Sequence, residues 1–168
     1  MTALPFHSPE TLSLRQTLGD FATGITVVTA RGANGLLAGL TVNSFSSVSL
    51  EPPLVLWSLT LASPSLPVFE SCTHYAVNVL GEGQRAISQC FAKTGIDKFA
   101  GIETRPGAGG SALLPGCVAW LECRVAARHA GGDHLIMVGE VVQFRRANGH
   151  PRPLLFHHGK YKSIGDEL

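Results

Sequence analysis

The sequence predicts a mainly β chain with short helices, its strands joined as antiparallel hairpins that close into a small barrel. Three observations predict it. Short apolar runs rich in β-branched residues recur along the chain, such as ITVVTAR (Ile25–Arg31) and YAVNVL (Tyr75–Leu80). Reversal signals stand between runs, at Asn34-Gly35 and at Gly131-Gly132-Asp133. From Trp120 to Ala127 the pattern alternates: Leu121, Cys123, Val125 and Ala127 share one face, Glu122, Arg124 and Ala126 the other. Closure is the simplest way for about seven such strands to leave no edge unpaired.

Taken in order, Ser8-Pro9-Glu10 starts a helix that runs to about Leu18: Ser8 can cap it and Pro9 suits its first turn. Ile25–Arg31 is the first strand. Asn34-Gly35 turns the chain into Leu36–Val42. Leu54–Leu59 (LVLWSL) is apolar throughout, which predicts a strand buried on both faces. Ser63–Glu70 reads as a turn and a short helix, and Tyr75–Leu80 as a strand. Gln84–Ala92 carries Ala86, Ile87, Cys90 and Phe91 at helical spacing. Gly101–Gly116 is glycine-rich and reads as loop. Trp120–Ala127, Leu135–Phe144 and Leu154–Phe156 complete the strands. Neither repeat nor linker divides the chain, so one domain is expected over residues 1–168.

Composition narrows the function. Hydrophobic residues make up 45% of the 168 residues and charged ones 15%. So little charge leaves apolar surface to cover, and a second copy of the chain is the expected partner. Net charge is +1 with no Lys/Arg block, which argues against nucleic acid and anionic membrane as partners. No apolar run reaches membrane-spanning length, and MTALPFHSPE lacks the features of an export leader. Cys72, Cys90, Cys117 and Cys123 form no C-x-x-C pair and read as reduced thiols of a cytoplasmic protein.

Several candidate sites fall away on context. Gly107–Ala112 (GAGGSA) fits G-x-G-x-x-A, but no buried strand precedes it and no helix can follow LLPG, so it reads as loop. His157 and His158 are adjacent and would point to opposite faces of a strand; His129 and His134 flank a glycine turn. Neither spacing builds a metal site by itself, and no metal is assigned. No serine sits in G-x-S-x-G, and no Ser/His/Asp order supports a hydrolase.

What remains is TVNSFSSVS, Thr41–Ser49, whose hydroxyls and amide crowd ahead of an apolar strand. It reads either as a turn bonded to itself or as a cradle for a phosphate or polar heterocycle. Ser58, Ser63 and Ser65 follow the next strand and could open on the same end of a barrel. Gly132-Asp133-His134 sits at the mouth of another strand, where function concentrates.

FATGITVVTA (Phe21–Ala30), GLTVNSFSSVSLEPPLVLWSL (Gly39–Leu59), YAVNVL, KFAG (Lys98–Gly101), GDHLIMVGEV (Gly132–Val141) and PLLFHHGKY (Pro153–Tyr161) occur in that order. The sequence resembles the short-chain flavin reductases of two-component monooxygenases, in the flavin reductase-like, FMN-binding split-barrel family, over nearly everything after about residue 12. The resemblance implies a mostly antiparallel split β-barrel and a homodimer. It implies an enzyme that reduces FMN or FAD with NADH or NADPH, supplying reduced flavin to an oxygenase. On that pattern Thr41, Asn43, Ser44, Ser46, Ser47, Val48 and Ser49 match one flavin-contacting segment, and Ser58, Leu59, Ser63 and Ser65 a second. Lys98 matches a further flavin-side position; His134 and Tyr161 match the nicotinamide side. Pro64 and His158 depart from the pattern, standing where a basic or bulky residue and an arginine are frequent.

Hydride transfer between two bound rings needs no protein nucleophile, so the lack of a catalytic constellation agrees with that chemistry. Two alternatives stand beside it. A flavin carrier or sensor would bind flavin without consuming NAD(P)H. An oligonucleotide-binding barrel is disfavoured by the missing basic face and sparse aromatics.

Overall fold

The computed structural model describes residues 8–165; most of the segment weighed for an export leader lies outside them. Helix α1 (Pro9–Gly19) starts as the sequence predicts: Ser8 is extended and its Oγ accepts the Thr11 N–H at 3.2 Å. Strands β1 (Thr23–Gly24), β2 (Thr26–Arg31), β3 (Leu37–Val42), β4 (Ser46–Leu50) and β5 (Pro53–Thr60) follow. Then come α2 (Leu66–Ser71), β6 (His74–Val79) and α3 (Arg85–Ala92). The chain continues through β7 (Arg105–Pro106), β8 (Ala112–Leu113), β9 (Ala119–Gly131), β10 (His134–Arg146), β11 (Leu155–His157) and β12 (Lys160–Lys162).

The main sheet is antiparallel, in the order β3-β2-β6-β9-β10-β5-β4. Its two edge strands are consecutive in sequence, with only Asn43, Ser44 and Phe45 between them. Laid flat, the edges of seven strands would stand about 29 Å apart, whereas a three-residue link spans at most about 14 Å. The sheet therefore curls until β3 and β4 meet at a corner. No ladder joins them there, so the barrel stays split and both strands keep an edge, against the expectation that closure removes edges.

Trp57, Phe69, Tyr75 and Met137 are fully buried within the barrel, and Trp57 meets Phe69 and Tyr75 edge-on at 5.0 and 5.9 Å. A second cluster, around Ile25, Leu80, Phe91, Leu114 and Leu154, packs against the other face of β2. The small sheet β1-β11-β12 and helix α3 contribute to it.

Four further expectations are corrected. Ser46–Leu50 is a strand, not a turn bonded to itself: its short side chains suit an exposed edge, and Val48 bulges between Ser47 and Ser49. Strand β5 buries one face, through Val55, Trp57 and Leu59, while Leu54, Leu56 and Ser58 are half-buried, as an antiparallel sheet allows. The glycine-rich segment is anchored rather than free. The Thr29 hydroxyl donates to Ala112 O at 2.6 Å, and the Asn78 carboxamide accepts from Leu114 N at 2.8 Å, so Ser111–Leu114 is buried.

Finally, His157 and His158 do not diverge. His158 and Gly159 form a two-residue hairpin turn between β11 and β12 with φ of +49° and +70°. That left-handed step brings the two imidazole rings to 4.2 Å.

Candidate functional site

The barrel's open corner is stitched by one side chain. Strand β4 pairs with β5 only as far as Ser46 opposite Leu56. Beyond that point the Ser44 hydroxyl substitutes for the missing ladder, accepting the Ser58 N–H at 3.0 Å and donating to Ser58 O at 3.3 Å.

On its other side β5 pairs with β10, with Ser58 opposite Ile136 and Thr60 opposite His134. Thr60 is one same-face step along β5 from Ser58, about 7 Å, and His134 lies directly across from Thr60 on β10. Leu61 N donates to Asp133 O at 2.9 Å and continues the contact. The serine-rich corner and the Gly132-Asp133-His134 turn occupy the same end of the sheet. Gly132 makes that turn possible with φ +69°. The Asp133 carboxylate accepts from His134 Nδ1 at 2.6 Å. That hydrogen bond holds the Asp133 carboxyl below the usual range and leaves Nε2 as the free ring nitrogen.

A cleft of about 180 Å³ opens beside this corner, lined by Thr41 and Asn43 together with Ile25, Ser88, Phe156 and Tyr161. Thr41 Oγ1 donates to Ser88 O at 2.6 Å, and Ser88 Oγ lies 3.1 Å from Tyr161 Oη. These bonds tie β3, α3 and the β11–β12 hairpin into one wall. Phe156 and Tyr161 meet edge-on at 5.6 Å.

A second cleft, of about 350 Å³, lies farther along β3 and is lined by Leu37, Pro64, Ser65, Lys98 and Phe99 among others. Lys98 is committed to structure there: its Nζ donates to Gly39 O and Phe91 O, both at 2.9 Å, and desolvation lowers its pKa. Gly39 lines this second cleft as well. A Cβ on it would lie 2.6 Å from the Phe91 ring, so the glycine lets α3 close on β3.

The proposed residues therefore divide. Thr41, Asn43 and Tyr161 share one cleft; Ser44, Ser58 and His134 cluster at the adjoining corner; Ser65 and Lys98 line the second cleft. Ser63 accepts the Ser65 N–H at 3.2 Å in the turn before α2. Ser46, Ser47, Val48 and Ser49 run along the outer edge of β4, where no strand takes their free main-chain groups. Leu59 is wholly buried, so only its main chain could serve a ligand.

No sequence motif marks Ser88, Arg85 or Thr60. Ser88 carried a faint signal as a hydroxyl between Ile87 and Phe91, and it is fully buried. Arg85 lies over the Tyr161 ring at 5.3 Å. Among the described residues the Asn43 carboxamide has no hydrogen-bond partner, and the Thr23 hydroxyl, on the strand paired with Phe156, is buried without one. Unspent donors beside apolar Ile25 and Phe156 fit a flat, polar heterocycle better than a compact ion.

Comparison with known proteins agrees with this chemistry. The flavin reductase like domain matches residues 18–165. The chain is 42% identical over 156 residues to the reductase subunit HsaB of a flavin-dependent monooxygenase from Mycobacterium tuberculosis, covering 92% of this chain and 83% of HsaB. It is 45% identical over 139 residues to the FMN reductase (NADH) SmoA of Agrobacterium fabrum, covering 83% of this chain and 79% of SmoA. Streptomyces globisporus NADH:FAD oxidoreductase SgcE6, solved in complex with NAD and FAD fragments, superimposes with a TM-score of 0.87 at 34% identity, covering 98% of each chain.

Proposed function

The chain belongs to the flavin reductase-like domain family, and from that premise we propose that it is an NAD(P)H:flavin oxidoreductase supplying reduced flavin to a partner monooxygenase. The observation that carries this reading is the shared end of the sheet: the Asn43–Ser44 corner and the His134 turn stand side by side. A bound flavin accepts the hydride of a dihydronicotinamide, so the chain's task is to hold two rings in contact and exclude water.

Thr41, Asn43 and Ser44 supply short polar contacts at the corner. The N–H groups on the outer edge of β4, those within Ser46 to Ser49 that do not pair with β5, favour the electron-rich edge of a reduced flavin. Ser58, Ser63 and Ser65 extend the polar rim, and Lys98 fixes the loop beside it. His134, its ring oriented by Asp133, offers Nε2 to the nicotinamide side, and Tyr161 walls the cleft. Both clefts open to solvent, which suits a flavin that enters oxidised and leaves reduced.

The working unit is a homodimer. Leu50 and Phe144 are 88% and 75% exposed, and Val48 and Val142 add to the same region. The register brings them together: Leu50 pairs with Pro53, Leu54 with Glu140, and β10 runs on past that point to Val142 and Phe144. No helix among the described residues is long and apolar enough to cross a membrane, and the four free thiols suit a reducing cytoplasm.

The test is to mix the protein with NADH or NADPH and with FMN or FAD, and to follow loss of the nicotinamide absorbance. Flavin-dependent oxidation in at least one pairing is expected. Flavin binding without oxidation in any of them would favour a carrier or sensor instead.

A further inference from the structure

We propose that Asp20, His157 and His158 form a binding site for a divalent transition-metal ion, with zinc the best-matched probe. The fold assembles this trio from distant parts of the chain, and the histidines converge only because of the left-handed turn at His158. One ligand atom from each residue lies within 4.8 Å of the other two. His158 Nε2 is 2.8 Å from Asp20 Oδ1, and the two rings are 4.2 Å apart. Two imidazole nitrogens and one carboxylate oxygen form a donor set that zinc takes up, and a water can fill the fourth position. Asp20 and His158 are exposed and His157 half-buried, so an ion can reach the trio and keep that water.

A second observation points the same way. Asp20 is the C-cap of α1, where the helix dipole is negative, and the last turn of α1 holds no basic residue. A carboxylate is unfavourable in that position unless a cation accompanies it. In the metal-free chain His158 Nε2–H serves Asp20; a metal ion takes the place of that shared proton and supplies two charges. The His158 N–H also donates to Gly19 O at 3.1 Å, so the backbone already holds the two segments in register. A bound ion would clamp the end of α1 to the β11–β12 hairpin, which carries Phe156 and Tyr161 of the cleft wall.

The experiment uses the full, untagged chain, freed of metal by a chelator and titrated with zinc against a chromophoric competitor. One equivalent should bind and raise the melting temperature. Asp20→Asn, His157→Gln and His158→Asn should each weaken binding by about tenfold or more and shrink the melting shift at the same zinc concentration; loss of one ligand worth 1.4 kcal/mol gives that factor. Asn at 158 tolerates the left-handed turn, so this variant keeps the hairpin. His129→Ala, remote in sequence, should bind as the wild type does. Failure to bind one equivalent, or unchanged affinity in the three variants, would overturn the assignment. Neither result bears on flavin reduction.

Discussion

Replacing Gly39 by alanine tests how the fold sets the cleft. The new methyl group would lie 2.6 and 2.8 Å from two Phe91 ring carbons and 3.1 Å from Phe99 Cζ. Phe91 is fully buried and meets Phe99 edge-on at 5.1 Å, so the ring has no free space into which to retreat. Helix α3 must move off β3, carrying Ser88 away from Thr41. Overpacking of this kind costs about 1–3 kcal/mol. For a chain of this length each kcal/mol lowers Tm by about 2–4 °C, so a drop of about 2–12 °C is expected. Thermal unfolding monitored by circular dichroism reads the first effect, and fluorescence titration with FMN or FAD reads a parallel loss of flavin affinity. Adding Phe91→Leu should relieve the clash, so the double variant should be more stable than the sum of the single effects by about 0.5–3 kcal/mol. An unchanged Tm in Gly39→Ala, or strict additivity in the double variant, would refute the reasoning.

Other substitutions probe the site itself. Ser44→Ala removes the stitch to Ser58 and should cost about 0.5–1.5 kcal/mol in urea unfolding, since water can reach the freed groups; flavin affinity should fall with it. Asn43→Ala and Ser47→Ala should weaken flavin binding in equilibrium titration while leaving Tm nearly unchanged. His134→Ala should raise KM for NAD(P)H or lower kcat at unchanged flavin affinity; a change confined to flavin binding would reassign the residue. Burial pushes the Cys117 and Cys123 thiols up to about 12. In the native state at pH 8, half-buried Cys90 should therefore alkylate well before them, as mass spectrometry of timed samples can follow.

Much of this architecture was legible because antiparallel strands announce themselves locally. The alternation through Leu121–Ala127 and the turns at Asn34-Gly35 and Gly132-Asp133 depend on neighbours in sequence, and the sheet bears out the strands they imply. Strand β4 was hidden because serine has weak strand preference, and its pairing with β5 rests on contacts that sequence spacing does not reveal. The anchoring of Ser111–Leu114 depends on Thr29 and Asn78, distant in sequence, although the apolar Ala112-Leu113-Leu114 was a clue among the glycines. The same limit applies at the site. Thr41 and His134 stood out by motif, but Ser88 joins Thr41 through its backbone carbonyl, which composition cannot display. The pairing of Asp20 with His158 needed the hairpin turn to be seen in three dimensions.

The most direct test of the central claim is a crystal structure with FMN or FAD and a non-reducing nicotinamide dinucleotide. The isoalloxazine should lie against Asn43, Ser44 and the edge of β4, with the nicotinamide ring between it and His134. A flavin bound elsewhere, with that corner empty, would contradict that claim.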